Sequence, residues 1–228
     1  MLKRQIPNLI TLCNLMCGVL ATGLAVKGMI ANASLLILLG ILFDFFDGLS
    51  ARLLKVASPM GKELDSLADV VTSGVAPGFI LFNILRYSSL QWIAYVALLI
   101  PAFGAYRLAK FNLDTRQGHS FLGLPVPSNA LIWVGLALSG LYVGLADWQA
   151  VALAVVSLVT CVLMVSELPM FSLKFDFSDL SWRTNRIPYL FLIGCAVIIA
   201  ATRNWIAISL IIIWYIILSA LTQRKQHA

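Results

Sequence analysis

Residues 33–54 read ASLLILLGILFDFFDGLSARLL. The stretch has the length and apolarity needed to cross a hydrocarbon core about 30 Å thick, which takes about 20 helical residues. Yet it carries two aspartates, Asp44 and Asp47, toward its end. Comparable apolar runs place further spans near 8–28, 63–85, 91–112, 128–145, 148–166, 187–202 and 205–222. All are expected to be helical, because a bilayer leaves unpaired backbone groups nowhere else to bond. The expected fold is therefore an all-α integral membrane protein, a polytopic bundle of about eight transmembrane helices forming one domain over residues 1–228.

Composition agrees. The chain is 61% hydrophobic and only 11% charged, where a soluble domain has roughly a quarter of its residues charged. The net charge of +6 is not a nucleic-acid stripe, since the basic residues cluster at the ends of apolar segments, as expected for membrane orientation and anionic headgroups. Eight crossings put both termini on one side. Thirteen Lys and Arg then fall on that side and three, Lys27, Arg86 and Arg203, on the other. That bias assigns the termini and the loops near 57, 118 and 175 to the cytoplasm. Trp92, Trp148 and Trp205 begin spans on the outer side, as an interfacial aromatic belt does. The four cysteines fall inside apolar segments and read as small packing residues. Met1–Arg4 leads straight into the first span, so no cleavable leader is expected.

Of ten acidic residues, five crowd into 44–69: Asp44, Asp47, Glu63, Asp65 and Asp69. Carboxylates within spans are costly and mark functional sites. At about 100° per residue, Asp44, Asp47, Gly48 and Ala51 fall within about 100° of arc on one helix face. After a short loop, Gly61, Asp65 and Asp69 recur every fourth residue on one face, with Glu63 pointing elsewhere. Two spans joined by so tight a loop pack antiparallel, and their acidic faces can meet near the cytoplasmic end. Four carboxylates in one place repel one another, and one or two hard divalent cations resolve the conflict. Oxygen donors suit Mg²⁺ or Mn²⁺, and paired metals suit displacement at phosphorus. Gly48, Ala51 and Gly61 leave room for a bulky group such as a nucleotide, and Arg52 can pair with a phosphate or anchor the helix end. Structural ion pairs with Arg52, Lys55 and Lys62 are the competing reading, but they do not require the shared faces or the small residues among them.

The pattern Asp44-x2-Asp47-Gly48-x2-Ala51-Arg52-x8-Gly61-x3-Asp65-x3-Asp69 resembles the complete signature of the CDP-alcohol phosphatidyltransferases. The resemblance implies Asp44, Asp47, Asp65 and Asp69 as ligands of two divalent metals, with Asp69 also the proposed base. It implies Gly48, Ala51, Arg52 and Gly61 as the wall of a CDP pocket. Three more stretches are similar to the branch of this family that uses serine: residues 6–11 with Asn14, residues 107–112, and residues 121–127; the run from Leu163 toward Lys174 is similar too. The implied substrates are CDP-diacylglycerol and L-serine, and the implied assembly in the cytoplasmic membrane is a homodimer.

Asn8 and Thr11 can donate to the nucleotide, or Asn8 can cap a helix. Arg107, Lys110 and Asn112 can bind a serine carboxylate or a lipid phosphate, or touch anionic headgroups. Glycerol phosphate or inositol phosphate as acceptor would call on a basic cluster of Arg107, Lys110 and Arg116. An ether-linked archaeal-type lipid would meet the same apolar surface. A cation transporter, the reading from another class, would place its carboxylates near mid-membrane among broken helices.

Overall fold

A computed structural model describes residues 2–113, 121–171 and 185–223. Eight helical rods make up these segments: α1 (Leu2–Val26), α2 (Ile30–Leu53), α3 (Pro59–Leu85), α4 (Gln91–Leu113), α5 (Val126–Ser139), α6 (Asp147–Val165), α7 (Arg186–Thr202) and α8 (Ile206–Gln223). The first four and α6 are long and apolar enough to cross a membrane; α5, α7 and the apolar part of α8 are shorter. The chain is an all-α integral membrane protein, as expected. Its extended structure among the described residues is a two-residue antiparallel pairing, β1 (Phe121–Leu122) with β2 (Pro169–Met170).

Several boundaries differ from the hydropathy reading. The first helix starts at Leu2 rather than near 8 and carries Pro7 inside it, which removes one N–H from the early ladder. Asn8 is thus inside the helix and caps nothing. The fifth helix stops at Ser139 rather than 145, closed by Gly140 in the left-handed conformation (φ 70°). The start of α3 is local chemistry: the Ser58 hydroxyl accepts from the Gly61 N–H (3.1 Å), with Pro59 in the first turn. One turn of α3, Val70–Val75, is a π-helix directly after Asp69.

The α1–α2 hairpin forms one wall of the bundle, and α3 lies against both its helices. Gly18 and Gly40 allow the close approach: a β-carbon on either would sit within 2.5 Å of Thr72. Small residues at such crossings let backbones meet in lipid, where packing rather than water exclusion drives association. Farther along, Asn83 donates to the Ala25 carbonyl, and the Ser89 N–H donates to Asp147, so the ends of α1 and α3 and the start of α6 lie together. Lys27, Arg86 and Arg203 are at this end, beside the exposed Trp92, Trp148 and Trp205. At the opposite end, Lys62 reaches the Asn112 carbonyl and Lys110 the Val165 carbonyl. Each described basic residue therefore lies at the end assigned to it from the sequence. Arg116, Lys174, Arg183, Arg224 and Lys225 lie outside the described residues.

Behind the hairpin, α3, α4, α5 and α6 share an apolar core around Leu81, Ile100, Trp133 and Met164. The last two helices join the bundle through α8. Its Ser209 donates to the Ile132 carbonyl (2.6 Å) beside Gly135, and its Trp214 packs on Gly194 of α7.

Candidate active site

The α2–α3 hairpin brings the acidic faces together. Asp44, Asp47 and Asp65 each offer a carboxylate oxygen, and the three oxygens lie within 4.8 Å of one another. Asp47 is 5% exposed. Thr11 Oγ1 of α1 lies 2.5 Å from Asp47 Oδ2 and 3.0 Å from the Pro7 carbonyl. With one proton to give, that hydroxyl can serve only one of these acceptors at a time. Asp65 Oδ1 is buried with no hydrogen-bond partner among the described residues. A buried carboxylate oxygen in that state is costly unless something else satisfies it. An all-oxygen set of three clustered carboxylates with one oxygen orphaned fits a hard divalent cation such as Mg²⁺ or Mn²⁺.

Asp69 stands one turn deeper along α3 and is 8% exposed. It is outside the trio of converging oxygens, but its carboxyl lies within reach of Asp44. Two side chains approach it from behind. The Asn14 amide donates to Oδ1 (3.4 Å), and Arg107 of α4 is close enough to interact with it electrostatically.

Beside the trio, a cleft of about 380 Å³ opens between α1, α2 and α3. Asn8, Thr11, Gly48, Ala51, Arg52 and Gly61 line it together with Asp47 and Asp65. Each position singled out as a nucleotide contact thus borders one cavity. Open space lies where a Gly48 side chain would be, while a β-carbon at Gly61 would come within 3.4 Å of both Ser58 Oγ and Asn8 Oδ1. The Arg52 Nε–H donates to the Gly48 carbonyl (3.1 Å), which folds the guanidinium back over the cleft.

Of Arg107, Lys110 and Asn112, the first two border one small recess and the third turns to α3. Arg107 is buried, stacks on Phe111 (5.1 Å to the ring centroid), and has Nε unpartnered among the described residues. Lys110 turns to α6, meeting the Val165 carbonyl and Glu167 (3.7 Å). Asn112 donates instead to Ser66 Oγ of α3 (2.9 Å). Positions five apart differ by about 140° around the axis, which takes Asn112 away from Arg107, whereas Lys110, three positions on, stays on Arg107's side. Arg107 and Lys110 border a small recess with Leu122, Met164 and Ser166.

Sequence reasoning did not pick out Asn14 or Thr72 as site residues. Their signal was an amide and a hydroxyl inside apolar runs, where polar groups are expensive.

The model of the CDP-alcohol phosphatidyltransferase family matches residues 4–163. Among curated proteins, the chain is 42% identical over 123 residues to a CDP-diacylglycerol–serine O-phosphatidyltransferase of Bacillus subtilis, covering 54% of this chain and 69% of that protein. It is 40% identical over 130 residues to the protein of the same name in Methanocaldococcus jannaschii, covering 57% of this chain and 59% of that one. An archaetidylserine synthase of Methanothermobacter thermautotrophicus is 33% identical over 168 residues, covering 72% of this chain and 68% of that one. The matched residues 4–163 include the paired carboxylate faces and the cleft beside them, and the chain belongs to the CDP-alcohol phosphatidyltransferase family.

Proposed function

We propose that the protein transfers the phosphatidyl group of CDP-diacylglycerol to L-serine, giving phosphatidylserine and CMP, at the cytoplasmic face of the membrane. One observation carries the reading: the cleft residues border a single cavity with Asp47 and Asp65 of the carboxylate trio, at the end of the bundle that holds Arg52, Lys55, Lys62 and Lys110. The names of the relatives support serine as acceptor.

Asp44, Asp47 and Asp65 would hold Mg²⁺ or Mn²⁺, with Asp69 as the fourth carboxylate if two ions bind. When bound, such ions neutralise the pyrophosphate and stabilise the charge that builds on the leaving CMP. The chain's own residues do the rest. Asn8, Thr11 and the small residues Gly48, Ala51 and Gly61 seat the nucleotide, and Arg52 pairs with a phosphate oxygen. The serine hydroxyl oxygen forms a bond to the lipid-side phosphorus. Its proton passes to Asp69, and the bond from that phosphorus to the CMP oxygen breaks, leaving its electron pair on CMP. Arg107, buried beside Asp69 with its Nε unpartnered among the described residues, binds the serine carboxylate.

The test is Arg107→Lys. A lysine keeps the charge but loses the fork, so KM for serine should rise at least about tenfold, the order of one lost charge-assisted hydrogen bond. Metal-dependent binding of CDP-diacylglycerol should change little. An unchanged KM for serine would remove Arg107 from the acceptor site.

A further inference from the structure

The proposed base has to be aimed as well as placed, and α1 supplies the means. Asn14 is fully buried among the helices and bridges two points of α3. Its side-chain amide donates to Asp69 Oδ1, and its main-chain carbonyl accepts from the Thr72 hydroxyl at 2.9 Å. Thr72 is itself fully buried within the π-helical turn that follows Asp69. The arrangement has almost no freedom. A β-carbon at Gly18 would lie 2.4 Å from Thr72 Oγ1, and one at Gly40 would lie 2.5 Å from Thr72 Cγ2 and 3.0 Å from Asn14 Oδ1. Three backbones therefore close around one threonine and one asparagine. With Oδ1 pressed toward α2, the Asn14 amide nitrogen is left facing the carboxylate. A π turn in a helix is rare and often marks a functional position; here it carries the threonine that fixes Asn14.

We infer that Asn14 is the positioning residue of Asp69, holding one carboxylate oxygen through its amide so that the other is presented to the acceptor hydroxyl. The inference rests on Asp69 being the base. A residue that acts only by aiming another has a recognisable signature: its loss lowers kcat, spares the binding of CDP-lipid and metal, and adds nothing once the aimed group is gone.

The experiment compares Asn14→Ala, Asn14→Asp, Asp69→Asn and the double variant Asn14→Ala/Asp69→Asn in detergent-purified full-length protein. CMP release gives kcat and KM, and Mn²⁺-dependent binding of CDP-diacylglycerol is measured separately as the check that each variant is folded. Asn14→Ala should lower kcat at least about thirtyfold, within the range of a misdirected general base. KM for CDP-diacylglycerol and its binding should stay within about threefold, a change worth less than one ordinary hydrogen bond. Asn14→Asp keeps the shape and loses the donor, so it should show the same loss; it also decides the matter if the alanine variant does not fold. The double variant should be no slower than Asp69→Asn. Wild-type kcat in folded Asn14→Asp, or a double variant slower than Asp69→Asn by the full factor of the single change, overturns the inference. Full turnover in Asp69→Asn overturns the role of Asp69 instead, whatever Asn14 does.

Discussion

Asparagine in place of Asp69 should lower kcat by about a hundredfold to ten-thousandfold, the usual contribution of a general base, while Mn²⁺-dependent binding of CDP-diacylglycerol survives. The geometry separates these two properties. The three oxygens that converge belong to Asp44, Asp47 and Asp65, and Asp69 lies one turn deeper along α3. Removing its charge leaves the trio and the cleft intact. Asparagine at Asp44 or Asp65 strikes the trio itself, so metal affinity should fall at least about tenfold, in keeping with the cost of weakening a ligand set. Turnover should then fall with it and recover partly at high metal. Isothermal titration with Mn²⁺ and a CMP-release assay on the three variants separate the roles. Equal loss of metal affinity in Asp69→Asn would make that residue a ligand first. Undiminished turnover would remove it as the base.

Alanine at Gly123 should destabilise the protein by about 2–4 kcal/mol, combining the left-handed backbone penalty with overpacking. Gly123 has φ 73°, and a β-carbon there would come 2.6 Å from the Met164 carbonyl oxygen and 2.8 Å from that of Ser166. Both obstacles are main chain at the end of α6 and cannot swing aside. The same glycine donates its N–H to the Leu168 carbonyl (2.8 Å), next to the pairing of Phe121–Leu122 with Pro169–Met170. This clasp sets Leu122 and Ser166 around the Arg107 recess. A shift there should therefore also raise KM for serine. An apparent Tm lowered by at least about 5 °C in detergent is the expected reading for a chain of this size. An unchanged Tm would mean that the clasp opens without cost.

The sequence carried the hairpin and its carboxylates because two periodicities coincide there. Apolar run length fixes the spans, and the three- and four-residue spacing of Asp44, Asp47, Asp65 and Asp69 fixes which faces are acidic. The cleft followed from the small residues at the same spacing, Gly48, Ala51 and Gly61. The π turn was not legible: VVTSGV is ordinary apolar helix by composition, and what marks it is Thr72 lodged against two glycines from other helices. Asn14 stood out only within a stretch resembling the serine-using branch, and its role was not legible, since its partner is 55 residues away. Within the stretch 107–112, Arg107 and Lys110 share one recess as their three-residue spacing allows, while Asn112, about 140° away around the axis from Arg107, meets Ser66 of α3. The early end of α5 was signalled by Gly140, which reads as a helix stop once the left-handed cap is considered.

The central claim is transfer from CDP-diacylglycerol to serine, and one assay meets it directly. Purified protein is given CDP-diacylglycerol and Mn²⁺ or Mg²⁺ with serine, glycerol 3-phosphate or inositol 1-phosphate in turn, and CMP release and the lipid product are followed. CMP and phosphatidylserine formed with serine alone, and abolished by a chelator, are the expected result. CMP released only with a phosphorylated alcohol, or equally in the presence of the chelator, would contradict it.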